Sequence, residues 1–564
     1  MRSCTQTLAA ALLALLLLAP RAAPALELEL PWLDLPAAVD VTGLHVFEHH
    51  ADNLNGQDDD DGYQDLRNQL TLKLAIERFR LSVRLESVTF FGEPARAAGR
   101  VPFSDHYVGE EDAPGNNPTF FGKVSAGYDA DAWRAELGDF YATFGRGLAL
   151  RVHKSDPLGE DTTILGAKGW FTAGPVEVTA LSGLTNASSP DLYEKTVADP
   201  WDLVSGLSAS ARIADLVDVG AHGVWYLFDP AGLNDQASML PDHTVLAGLR
   251  VEVPSLLEVA SLYLEGDWLG SLPHPIVEGQ ETEWSHGYAL YAHGHVALGD
   301  VSLDLEAKSY RGLDVTTRTP GGDDGQYNSA QLSYIRPPTL EPEDMEVENN
   351  HDVSGGRLEL SYRPNSWDTL LLASYTGLWS KDYGSAGHRY IYNLRGGVEQ
   401  DFLGSGRARV LVGLREETPD YAGGLHQHLL YTTASVKIPL TERHSLELHG
   451  THWKRHKRWA DEPHDSIQGE WVLGYAWSPW LAASLIFGYD TEPSGETELE
   501  IFADRGGEPI RQAFLAGSLT LNLWSTAVIR VLGGQMRGGL KCIEGVCKVF
   551  PPFAGVRTDV TLRF

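Results

Sequence analysis

Three groups of side chains have residue types and spacings that could do chemistry. Asp52, Asp58, Asp59, Asp60, Asp61 and Asp65 crowd around Gly56 and Gly62, an oxygen-rich composition of the kind that holds Ca2+. An EF-hand register here would put Gln57 at its first ligand position and Asn68 at its last. That spacing fails, so Asp58–Asp61 are weak metal candidates and a solvated acidic loop is the simpler reading. His45, His49 and His50 precede these aspartates; imidazoles ligate metals, but solvent-facing histidines without that role are the expectation. Cys542 and Cys547 enclose a four-residue spacer and in an oxidising compartment predict a small disulfide that clips a loop. No HExxH, GxSxG or glycine-rich phosphate loop occurs, so no enzyme activity and no cofactor beyond Ca2+ at residues 52–65 is expected.

Composition bounds what can position these groups. The 564 residues carry 77 acidic and 44 basic side chains, a net charge of -33. Without a basic excess to displace counterions from phosphate, nucleic acid is not an expected partner. A hydrophobic content of 43% is too high for a disordered chain. Arg2, the apolar run Leu8–Pro20 and the small residues Ala23-Pro24-Ala25 have the layout of a secretory signal peptide over residues 1–25. Cys4 precedes the apolar run and cannot be a lipoprotein acceptor placed after one. Beyond that segment no apolar run approaches the roughly 18 residues of a membrane helix. Residues 26–40 are expected to form a short periplasmic lead-in.

From about residue 41 onward, segments of about ten residues alternate apolar and polar side chains, the two-residue period of a strand. Leu70, Leu72 and Leu74 oppose Gln69, Thr71 and Lys73; Leu81, Val83 and Leu85 oppose Arg80, Arg84 and Glu86. The same rule sets Arg134, Glu136, Asp304, Glu306, Lys308, Arg357, Arg407 and Arg409 on one side of their segments, away from leucine and valine. Short connections such as 77–78, 174–175 and 299–300 take turns with longer polar stretches such as 92–117 and 455–466. The pattern predicts an all-β fold: a single large antiparallel transmembrane β-barrel over 41–564, of about 24 strands (22–26), with short periplasmic turns and long extracellular loops. The twelve charges then line the lumen. Trp133, Trp367, Trp477, Trp480 and Trp524 fall at the turns, as an interfacial aromatic girdle requires.

An open 24-stranded pore would be a poor permeability barrier, because barrels of 16–18 strands already enclose an aqueous channel. Loops near 142–161 and 312–353 are therefore expected to fold inward, carrying Arg146, Glu341, Glu343, Asp344 and Glu346 as constriction residues. Two β-like pieces, 146–153 and 325–336, are assigned to those loops. The basic run Lys454, Arg455, His456, Lys457 and Arg458, flanked by Trp453 and Trp459, suits lipopolysaccharide phosphates or a solvated loop.

The ending Val560-Thr561-Leu562-Arg563-Phe564 resembles the C-terminal signal by which bacterial outer-membrane proteins engage the barrel-assembly machinery, with Phe564 as its last residue. Gly138-Asp139-Phe140-Tyr141 with Phe144-Gly145-Arg146-Gly147-Leu148, and Pro337-Pro338-Thr339-Leu340 through Glu348-Asn349-Asn350, resemble segments of an uncharacterised, porin-like family of bacterial outer-membrane β-barrels. The resemblance implies a fold and an outer-membrane location among lipid and lipopolysaccharide, and no activity. A loop-restricted channel for small hydrophilic solutes is the expected function. The alternative is a scaffold or sleeve that houses a partner protein in its lumen.

Overall fold

The computed structural model describes residues 26–30, 35–52, 62–91, 120–155, 160–188, 202–228, 241–273, 282–313, 315–317, 332–341, 345, 351–364, 368–381, 387–402, 404–421, 426–459, 462–491, 513–523, 526–543, 546–550 and 553–564. The signal segment 1–25, Asp58–Asp61, Glu343, Asp344 and Glu346 lie outside these residues. Twenty-four long strands, each antiparallel to the next, form a closed wall. Closure is made by Leu35–Asp52, which pairs with Tyr63–Ile76 on one side and with the last strand, Phe553–Arg563, on the other. Val41 and Phe564 exchange backbone hydrogen bonds of 2.8 and 2.9 Å at that seam. A closed ring pairs every wall strand on both sides and leaves no edge to satisfy.

The expected fold class holds, and its local causes are visible. Turns gather at one end of the wall; Glu77, Ala214, Asp215, Leu257 and Glu258 take left-handed φ angles there, which let a two-residue turn follow the strands' twist. Longer links gather at the other end. Two boundaries differ from the sequence reading. The first wall strand begins at Leu35 rather than near residue 41, and Leu26–Leu30 pairs back onto it as a hairpin. The periodicity Leu26-Glu27-Leu28-Glu29-Leu30 is a strand's. Residues 455–459 and 462–466 are likewise ladder rather than loop, since His444–Trp459 and Glu462–Trp477 pair along their whole length. Strand ends that stand in water on both faces need no apolar side, so a charge run there reads as a loop although its backbone is paired.

One face of the wall exposes a continuous apolar band. Leu137, Leu207, Leu249, Leu290, Leu394 and Leu515 are all more than half exposed. Aromatics border it: Phe79, Trp133, Phe171, Tyr362, Trp477 and Trp480 toward the turns, and Trp225, Trp268, Trp284, Tyr288, Trp379 and Tyr390 toward the longer links. From Leu371 to Trp379 the outward face runs about nine residues, close to the roughly 9–11 that a tilted strand needs to cross a bilayer. The opposite face encloses the core. There Phe144, Leu148, Leu150, Leu313, Val315, Tyr334, Ile335 and Leu340 pack with Tyr226, Leu246, Tyr263, Tyr291 and Tyr310 of the wall. Each fully buried leucine of this set contributes about 1.5–3 kcal/mol.

Candidate functional site

The interior is built from wall strands and two inserted segments. Residues 142–155 leave the wall after Trp133–Phe140, make a small hairpin of Ala142–Phe144 with Leu150–Val152, and return to Glu160–Ala173. The second segment, 312–341, pairs Thr316–Thr317 with Leu332–Ser333. The two are joined: Arg151 N–H donates to Tyr334 O at 2.7 Å and Arg336 N–H to Gly147 O at 2.9 Å. Neither 146–153 nor the described part of the second piece, 332–336, supplies a wall strand.

Both segments are fastened to wall strands far from where they emerge. Tyr226 Oη donates to Ala149 O at 2.5 Å, and Tyr334 Oη donates to Asp202 at 2.6 Å while its ring stacks 5.7 Å from that of Tyr226. Lys308 Nζ and Tyr310 Oη both donate to Pro338 O at 3.3 Å. Glu341 is gripped by Arg415, whose Nε and a terminal nitrogen donate to its two carboxylate oxygens at 2.6 and 3.0 Å. Arg415 also bonds Glu417, which Arg389 holds at 2.9 Å. All these charges are buried, so each needs its partner.

Arg146 meets a carboxylate through its backbone. Its backbone N–H donates to Glu265 Oε2 at 2.8 Å, and its guanidinium lies 4.5 Å over the Tyr263 ring. Gly145 at φ +60° and Gly147 at φ +87° turn this amide inward. Tyr263 Oη donates to the same Glu265 oxygen at 2.5 Å.

The twelve charged wall residues share the inner face. Glu306 bonds Arg357 and accepts from Tyr291 Oη at 2.6 Å, and Asp304 meets His295 at 2.8 Å. Arg84 lies 2.8 Å from Glu86 and 2.6 Å from Asp161, which Lys123 and Tyr141 also reach. Arg80 and Arg134 share Asp129 at 2.6 and 3.7 Å, while Glu136 stands opposite Lys168 and Lys73 opposite Asp40. Toward the turn end, Arg407 bonds Asp401 at 2.7 Å and Arg409 lies 4.0 Å from Glu399. Beside them a cavity of about 150 Å³ is lined by Glu359, Ser374, Arg395, Glu399 and Arg409 together with the apolar Leu370, Leu372 and Ala373. The wall thus presents charges of both signs, largely in pairs.

Two buried groups of possible metal-ligand type exist among the described residues, neither anticipated as a set. Glu48, His50 and Asp65 converge on the inner face; Arg67 at 2.8 Å and Arg557 at 2.9 Å bond Glu48, which makes this an ion-pair network. His50 is therefore buried rather than solvent-facing, because the register of the first two strands brings it near Asp65. His222, Glu265 and Asp267 form the second group. Backbone register also sets Cys542 opposite Cys547 in the Gly539–Ile543 and Val546–Phe550 hairpin.

Residues 45–226 match the model of a family of unknown function, DUF6029. The match includes Gly138–Leu148 and leaves Pro337–Asn350 outside it. No curated protein matches the sequence. Among solved structures, the siderophore receptor PirA from Pseudomonas aeruginosa is 8% identical, with 93% of this chain and 80% of that one covered at a TM-score of 0.43. The outer membrane protein OpdK from the same organism is 10% identical, with 71% and 97% covered at 0.35. A BenF-like porin from Pseudomonas fluorescens Pf-5 is 9% identical, with 71% and 98% covered at 0.36.

Proposed function

We propose that this protein is an outer-membrane barrel that passes small hydrophilic solutes through a lumen narrowed by its own inserted segments. The observation that carries the reading is the fastening of 142–155 and 332–341 across the interior by Glu265 and Arg415. A partner-housing sleeve would keep that space clear, so the occupied interior favours the channel. Paired charges around Glu399 and Asp401 supply donors and acceptors for a hydrated solute and favour neither a strong anion nor a strong cation filter. Purified full-length protein in planar bilayers should give small, discrete conductance steps; uniform silence would overturn the channel.

The membrane setting has its own test. Leu249 is 69% exposed near the middle of Pro241–Leu256. If lipid covers it, Leu249→Arg costs about 2–4 kcal/mol near the bilayer midplane. If water covers it, the change stays within about 0.5 kcal/mol. Urea unfolding from vesicles distinguishes the two, and a negligible shift argues against lipid.

A further inference from the structure

We infer that His222, Glu265 and Asp267 form a site for one divalent transition-metal ion, with Zn2+ as its probe. His222 on Val217–Leu227 and Glu265 and Asp267 on Ala260–Pro273 flank a middle strand, Pro241–Leu256, and register places His222, Gly248 and Asp267 in one row across the three. Glycine in the middle position leaves the space in which the flanking side chains meet. A Cβ at residue 248 would lie 2.0 Å from Asp267 Oδ1 and 2.5 Å from His222 Nε2. His222 Nε2 lies 2.6 Å from Asp267 Oδ1 and 3.7 Å from Glu265 Oε1. The shorter contact is a hydrogen bond; an ion would take the place of its proton and open it toward the separation of about 3.3–3.4 Å between ligand atoms at a tetrahedral ion with bonds near 2.0–2.1 Å, which the longer contact already approaches.

A second observation points to a ligand. The three side chains are closed to solvent, yet Glu265 Oε1 and Asp267 Oδ2 have no hydrogen-bond partner. Glu265 is also pre-oriented, because Arg146 N–H and Tyr263 Oη both occupy its other oxygen and leave Oε1 directed at the imidazole. Such an outer layer of donors is what fixes a ligating carboxylate. Two carboxylates and one imidazole are an N,O ligand set suited to a divalent transition metal. One ion would offset both negative charges and tie the inserted 142–155 hairpin to the wall through Glu265. This holds whether or not solutes pass through the barrel.

The test uses the full-length barrel, refolded with Zn2+ and dialysed against metal-free buffer, with bound metal counted by elemental analysis. One equivalent is expected in the parent. Asp267→Asn and Gly248→Ala, the second of which alters no ligand, should each weaken binding at least a hundredfold. Glu48→Gln, in the other buried group, should leave the equivalent in place. Co2+ supplies a readout on the parent alone: a visible band of a tetrahedral N,O site is expected. No retained metal and no band in the folded parent overturn the site, as does undiminished binding in both the Asp267 and Gly248 variants.

Discussion

Arg415→Ala will destabilise the barrel and raise its conductance severalfold. The guanidinium is fully buried and bridges Glu341 of an inserted segment to Glu417 of the wall. Removing it leaves Glu341 with its charge inside the protein and no cation bonded to it, and breaking a buried pair in this way costs about 3–5 kcal/mol. The segment can escape part of that cost by withdrawing Glu341 to water, which is why stability and conductance should change together. Glu341→Gln removes the charge that would be stranded and should cost less. Arg415→Met with Glu341→Leu removes both charges while keeping apolar volume, so it should recover much of the lost stability. Urea unfolding of the four proteins measures the coupling, and single-channel recording measures the opening. An Arg415→Ala protein with parental stability and parental conductance would show that Glu341 does not hold the segment in place.

What could be read from the sequence follows from how local each signal is. Strand period and face are local: Leu81, Val83 and Leu85 against Arg84 and Glu86 announce both at once, and the strand number follows from counting such segments. Faces are legible for the same reason: Asp304 and Glu306 pair across from Glu359 and Arg357, on the face opposite Leu305 and Leu358. Partners were not legible, because register and inserted segments choose them. Arg415 and Glu341 are 74 positions apart, and nothing in either neighbourhood names the other. Arg146 stands between two glycines, and those glycines present its amide rather than its side chain to Glu265. The His222, Glu265 and Asp267 group was missed because its members are spread over two strands and meet across a glycine on a third. The one local trace was Glu265-Gly266-Asp267, two carboxylates on a single face between Leu264 and Trp268. His50 reads as solvent-facing beside the aspartates of 52–65, whereas register encloses it against Glu48 and Asp65.

Gly145→Val will release the 142–155 segment from Glu265. Gly145 holds φ at +60°, and a Cβ there would fall 1.6 Å from Glu265 Oε1. A β-branched residue in the left-handed region costs about 1–3 kcal/mol in backbone strain alone. The collision adds to that by forcing Glu265 away from the Arg146 amide, leaving buried groups unpaired at about 1–3 kcal/mol. The wall ladders on either side are untouched, so the barrel should still form while the hairpin loses its anchor. Limited proteolysis should then cut within 142–155, where the parent resists, and the conductance step should grow. Glu265→Gln supplies the contrast: its amide oxygen can still accept the Arg146 N–H, so the hairpin should stay protected even though the charge at the neighbouring imidazole is gone. If Gly145→Val leaves the hairpin protease-resistant and the conductance unaltered, the interior is not held by this contact. The lumen would then have to be narrowed by the Arg415 anchor alone.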